Sequence, residues 1–103
     1  MTPKNKYPTI TAAFLSTTHI TESDDQILFQ VRDVACLSCY SLSPGYLIVI
    51  DLSDPQRFEE SAQENELSEA FITLIKTMAN NGHDYLYLSP VGPIADGLQK
   101  FDW

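Results

Sequence analysis

CLSCYSLSPGYLIVIDL, residues 36–52, decides how this chain folds. Its middle, Ser43-Pro44-Gly45-Tyr46, is turn chemistry: proline presets φ at the second position and glycine takes the positive φ of a type II turn at the third. The turn joins residues 36–42 to residues 46–52 as a β-hairpin. The near-continuous apolar run Tyr46-Leu47-Ile48-Val49-Ile50 predicts a strand in the interior of a sheet.

The same stretch holds both cysteines of the chain at a C-x-x-C spacing. A redox pair of this kind lowers a thiol pKa at a helix N-terminus, so it needs a helix after it. Here a helical segment precedes the pair and a hairpin follows. Zinc would need four ligands, and Cys36, Cys39, His19 and His83 supply the number. In one strand, however, positions i and i+3 point to opposite faces. The expectation is therefore no metal and no cofactor, with both cysteines as small buried residues.

Working outward, residues 1–8 read as a mobile start and residues 9–16 as a strand rich in β-branched side chains. Thr21-Glu22-Ser23-Asp24 fits a capping box, in which the threonine hydroxyl and a following acid satisfy free N–H groups at a helix start. Ile27, Leu28 and Val31 then share a helical face, which predicts a helix over 22–33; the rival is a strand with Ile27, Phe29 and Val31 alternating.

Beyond the hairpin, Asp54-Pro55 suits the start of a short helical turn. Leu67, Ala70, Phe71, Leu74, Ile75, Met78 and Ala79 follow the spacing of a single apolar stripe on a second helix. Asn80-Asn81-Gly82 stops it, because asparagine and glycine adopt the left-handed conformation that ends helices. Residues 85–88 read as the last strand. Residues 89–103 read as an irregular tail packed on the domain through Ile94, Leu98, Phe101 and Trp103.

The order β-α-β-β-α-β belongs to an α+β two-layer sandwich, with ferredoxin-like topology as the leading arrangement. The same elements in another strand order are the alternative. At 103 residues the chain fits one domain with one core, and 44% hydrophobic with 19% charged residues is the balance of a globular chain. Residues 1–20 lack the apolar core of a signal peptide, and no apolar run approaches the ~20 residues that cross a bilayer. A cytoplasmic setting with reduced thiols and no membrane follows as the expectation.

The formal charge is −8, and only six residues are Lys or Arg. Asp54, Glu59, Glu60, Glu64, Glu66 and Glu69 form an acidic partner surface relieved only by Arg57. Such a field opposes direct nucleic-acid binding, which relies on cations displacing counterions, and suits a protein partner with a basic surface. A solvated surface that keeps the protein in solution explains the same charge.

His19 sits between the first strand and the first helix, with Asp24 or Asp25 placed to orient it as a base or ligand-binding group. The structural alternative is a histidine that caps the loop. His83 follows the Gly82 stop, where an imidazole suits a helix C-terminus. Tyr46, Tyr85 and Tyr87 on strands suggest an exposed aromatic patch for a partner. No phosphate loop, dinucleotide fingerprint or nucleophile elbow is present, so the expectation leans away from an enzyme.

Three stretches resemble a family of small uncharacterised domains met in bacterial plasmids and integrative elements. They are Ser16-Thr17-Thr18-His19-Ile20-Thr21 with Asp24; Gly45-Tyr46-Leu47-Ile48-Val49; and Gly82-His83-Asp84-Tyr85-Leu86, continuing through Asp96-Gly97-Leu98 to Phe101-Asp102-Trp103. The resemblance implies a mobile-DNA setting and no transferable activity. Trp103 and Phe101 at the C-terminus are either docked on the domain or offered to a partner's pocket, and the cost of exposing both favours docking.

The function expected is a non-enzymatic, acidic protein-interaction module, an accessory or anti-defence factor of a mobile genetic element. The alternative is a small enzyme or ligand-binding domain using the strand–helix junction around His19. Edge pairing of the cysteine strand or the last strand would give a homodimer.

Overall fold

The computed structural model describes residues 8–30, 33–34, 37–42 and 44–103. The expectations for residues 1–7, Val31, Cys36 and Ser43 lie outside the described residues. The elements run β1 (Ala12–Ser16), a 3-10 turn (Thr17–His19), α1 (Glu22–Gln30), β2 (Asp33–Val34), β3 (Leu37–Ser41), β4 (Tyr46–Val49), α2 (Pro55–Glu64), α3 (Glu69–Asn80) and β5 (Tyr85–Ser89). The fold is α+β, with a mixed sheet in the order β1-β5-β4-β3-β2.

This strand order departs from the ferredoxin-like one. That arrangement puts the first strand inside the sheet and antiparallel to the last, whereas here β1 lies at an edge and pairs parallel to β5, Ala12 opposite Tyr85 through Ser16 opposite Ser89. The six elements expected are present in their order, with the two-residue β2 and the helix α2 added, but that order does not say which strands become neighbours. The last strand is interior, paired with β1 and β4, so it offers no edge for a second copy.

Two element boundaries also differ from expectation, each for a local reason. The first helix, Glu22–Gln30, does not reach residue 33, because Asp33 and Val34 pair as a two-residue strand with Ser38 and Leu37. The turn at Asp54-Pro55 extends into the ten-residue α2. Asp54 caps it by accepting the Arg57 N–H at 3.2 Å. Its apolar stripe is only Phe58 and Ala62, one turn apart and both fully buried, too thin a pattern to read among polar neighbours.

All three helices lie against one face of the sheet. Leu15, Leu37, Cys39, Tyr46, Ile48, Leu86 and Leu88 face them, alternating along their strands, and Leu28, Phe58, Phe71, Ile72, Leu74, Ile75 and Met78 fill the layer between. Phe71 has no exposed surface, and emptying its site would cost about 3–5 kcal/mol. The opposite face carries Phe14, Tyr85, Tyr87, Leu47 and Tyr40, and no described helix crosses it. Phe14 and Tyr87, directly paired in the ladder, stack with centroids 5.0 Å apart. No helix among the described residues is long and apolar enough to cross a membrane.

Candidate functional site

β1, β3 and β5 point the same way, so their carboxyl ends gather with the start of β4 at one end of the sheet. There the backbone comes unusually close. A Cβ on Gly45, whose φ is +102°, would lie 2.0 Å from the Leu88 carbonyl oxygen. A Cβ on Gly92 would lie 2.4 Å from that of Leu15. Both positions therefore exclude a side chain. A cleft of about 600 Å³ opens beside Gly45. Polar groups of Ser16, Thr17, Thr18, Asp25 and Tyr46 line it, and the apolar side chains of Phe29, Leu42, Ile94, Phe101 and Trp103 complete it.

One side of the cleft is made by the tail, which docks onto the 3-10 turn. Ser16 N–H donates to Pro93 O at 2.8 Å, and Phe101 N–H donates to Thr18 O at 2.7 Å. Thr18 Oγ1 returns a bond to Phe101 O at 2.7 Å, and Trp103 Nε1 donates to Ile20 O at 2.9 Å. Trp103 is docked by its polar edge and keeps half its surface exposed.

His19 is the centre of this docking. Its ring is buried, its Nε2 accepts the Ala95 N–H at 2.9 Å, and its Nδ1 meets Gln99 O at 2.7 Å. A nitrogen that accepts an N–H carries no proton, so Nδ1 is the protonated one and donates to Gln99. Both ring nitrogens are thus spent on the backbone of the tail, and His19 does not line the cleft.

Asp24 and Asp25 divide in the same way. Asp24 is fully buried: its Oδ2 accepts the Thr21 N–H at 3.0 Å and the Ser68 hydroxyl at 2.5 Å, while its Oδ1 accepts the Ser68 N–H at 2.8 Å. The Thr21 hydroxyl in turn accepts the Asp24 N–H at 3.0 Å, which completes the capping box. Ser68 is itself the N-cap of α3. One carboxylate therefore ties the starts of two helices together, and its partners do not include His19. Asp25, half-buried, lines the cleft instead.

Tyr46 connects the core to the cleft. It lies on the helix-covered face, 6% exposed, and its hydroxyl donates to Asp25 Oδ1 at 2.7 Å, 3.0 Å from the Asp25 carbonyl oxygen. Burial first, then the Asp25 carboxylate, push that hydroxyl well above the usual tyrosine range, so it remains a donor. The aromatic patch expected of Tyr46, Tyr85 and Tyr87 is consequently divided. Tyr85 and Tyr87 occupy the other face, because Tyr46 pairs with Leu88 and Tyr87 with Leu47.

The remaining sequence candidates lie elsewhere. His83 precedes β5 at the far end of the sheet, so the two histidines do not meet. Cys39 is buried on the helix side, and burial pushes its thiol up to about 11, leaving little thiolate at neutral pH. Among the described residues no three His, Cys, Asp or Glu side chains converge. Of the acidic set, Asp54 caps α2, Glu59 pairs with Lys76 at 3.0 Å, and Glu66 closes α2 at a φ of +65°. Glu60, Glu64 and Glu69 remain exposed on the helices.

The described lining of the cleft contains no histidine, cysteine, lysine or arginine. Its described titratable groups are Asp25 and Tyr46, bonded to each other, beside the hydroxyl residues Ser16, Thr17, Thr18 and Ser41. Phe29 carries a single sequence signal: it falls off the face shared by Ile27 and Leu28, leaving a phenylalanine on the outside of a helix, and it is 72% exposed. A family model described as "Family of unknown function (DUF5983) C-terminal domain" matches residues 12–103. No curated protein and no solved structure matches the chain.

Proposed function

The chain belongs to this DUF5983 C-terminal-domain family, and we propose that it is a non-enzymatic protein-interaction domain whose cleft at the carboxyl end of the sheet receives a segment of a partner protein. The observation that carries the proposal is the convergence of Phe29, Ile94, Phe101 and Trp103 around a polar lining. Phe29, Ile94 and Trp103 are 72%, 58% and 50% exposed. Large apolar side chains gathered at one concave surface mark an interaction site, where scattered ones would not.

The charge of −8 lies outside the cleft as well as in it and suits a basic partner, met in the cytoplasm without direct contact to nucleic acid. An accessory or anti-defence role in a mobile genetic element is the biological form proposed for it, the resemblance implying the mobile-DNA setting alone. The cleft volume also lies within the ~300–1,000 Å³ of small-molecule sites, which supports ligand binding at the strand–helix junction as the second function. Its residues would then be Ser16, Thr17, Thr18 and Asp25, with His19 holding the tail behind them.

A photocrosslinking residue placed at Phe29, compared with one placed at Glu60 on α2, tests the proposal in host cells. A discrete protein captured at position 29, and lost when Ile94→Ser is added, is the expected result. Capture at position 60 alone would move the interface to the acidic helices. Capture at neither would leave the small-molecule function as the one to pursue.

A further inference from the structure

Among the described residues that line the cleft, Asp25 is the one carboxylate and none carries a basic side chain. Among the described residues the single ion pair is Lys76–Glu59, on α3 and α2. The Asp25 side chain is also held in place: Oδ1 accepts the Tyr46 hydroxyl at 2.7 Å, and that tyrosine is locked in the core. The cleft thus carries a fixed negative charge beside Phe29, Phe101 and Trp103, in a chain whose net charge is −8.

A carboxylate next to aromatic rings is complementary to a cation. The carboxylate supplies charge and hydrogen-bond acceptors, and the ring faces add cation–π attraction. Among side chains a guanidinium fits best, being planar, weakly hydrated and able to stack while its fork bonds to oxygen. Its three-carbon stem would lie along Ile94 and Leu42, exposed by 58% and 42%. We propose that the partner segment is anchored by an arginine side chain, its guanidinium paired with Asp25 and stacked against the aromatic rings of the cleft. This rests on the cleft being the partner site, and it names the chemistry by which that partner is recognised.

Trp103 is the only tryptophan of the chain and lines the cleft, so its fluorescence reports occupancy directly. The probes are the capped peptide Ac-Gly-Leu-Arg-Leu-Gly-NH2 and the same peptide with citrulline, which keeps the shape and loses the charge. The expected result is a saturable Trp103 response to the arginine peptide that weakens with added salt, and affinity lower by about tenfold or more for citrulline. Asp25→Asn should weaken the arginine peptide by a similar factor. The asparagine oxygen still accepts from Tyr46, so an unchanged melting midpoint confirms that this variant is folded. Phe29→Leu, at an exposed position, should weaken it several-fold.

Equal affinity for the two peptides, indifference to Asp25→Asn, or no Trp103 response at millimolar peptide would each overturn the arginine anchor. If the residue at position 29 still captures a protein in that event, the cleft remains the partner site and only its cationic chemistry falls. If neither experiment responds, both proposals fall.

Discussion

Where β1 and β5 begin, the Thr11 carbonyl accepts the N–H groups of both Asp84 and Tyr85, at 2.7 and 3.0 Å. Thr11 N–H donates to the Asp84 carboxylate at 3.1 Å, and Ile50 N–H donates to the Asp84 carbonyl at 2.9 Å. Where the same strands finish, the chain diverges into the 3-10 turn and the tail, and side chains of Ser16, Thr17, Thr18 and Tyr46 face a cleft. Closure at the first end is made by backbone groups of Thr11, Asp84, Tyr85 and Ile50, beside a buried His83 Nδ1 that has no hydrogen-bond partner among the described residues. Side-chain closure at the second end spends His19 and Asp24 on holding the walls and leaves Asp25 and the aromatic residues lining the cleft.

The most damaging test of that contrast is Asp24→Ala. It would leave Thr21 N–H and Ser68 N–H without their acceptor at two helix starts, a loss of about 3 kcal/mol. In a domain of this size the melting midpoint should fall by roughly 10–20 °C. A fall of only a degree or two in calorimetry would show that the cleft end is not held by Asp24.

His19→Ala comes next. It removes the partners of Ala95 N–H and Gln99 O, at a cost of about 2 kcal/mol, and loosens the tail. Trp103 emission should shift to longer wavelength while the sheet stays folded. An unchanged emission maximum with lost binding would instead give His19 a direct part in recognition.

Two of the three positive-φ glycines, Gly45 and Gly82, sharpen the comparison because they sit at opposite ends. Gly82→Ala meets open space and should cost about 1 kcal/mol for the left-handed backbone alone. Gly45→Ala carries the same backbone cost and also drives a Cβ into the Leu88 carbonyl, so it should cost about 1 kcal/mol more. Chemical denaturation of both variants measures the difference, and equal costs would mean that the cleft end yields easily.

The smallest effect is a gain. α2 and α3 end in the same pattern: Leu67 N–H and Glu66 N–H bond back to Ala62 O and Gln63 O, as His83 and Gly82 do to Met78 O and Ala79 O. The left-handed position is Gly82 in one and Glu66, at φ +65°, in the other. Glu66→Gly should stabilise the protein by about 0.5–1 kcal/mol in urea unfolding. A loss of stability would mean that the Glu66 side chain has a structural partner.

The hairpin, the α3 stripe and the capping box were legible in the sequence, because each depends on residues within a turn or two of one another. So was the Gly82 stop. α2 was legible only as a beginning, since a helix buried by Phe58 and Ala62 alone has little periodicity to read. The site was legible in fragments. Trp103 and Tyr46 were named, but Tyr46 was grouped with residues of the other face and Asp25 stood behind Asp24.

By itself the sequence determined the type and order of six elements and their capping chemistry, consequences of spacing along the chain, while β2 and most of α2 came only with the fold. The tertiary structure alone decided that β1 pairs with β5, that Tyr46 and Tyr87 part company, that His19 binds the tail and that Asp25 opens onto a cleft. Each of these depends on contacts between residues distant in sequence, where register selects the face a side chain occupies and a single helical step separates a buried carboxylate from an available one.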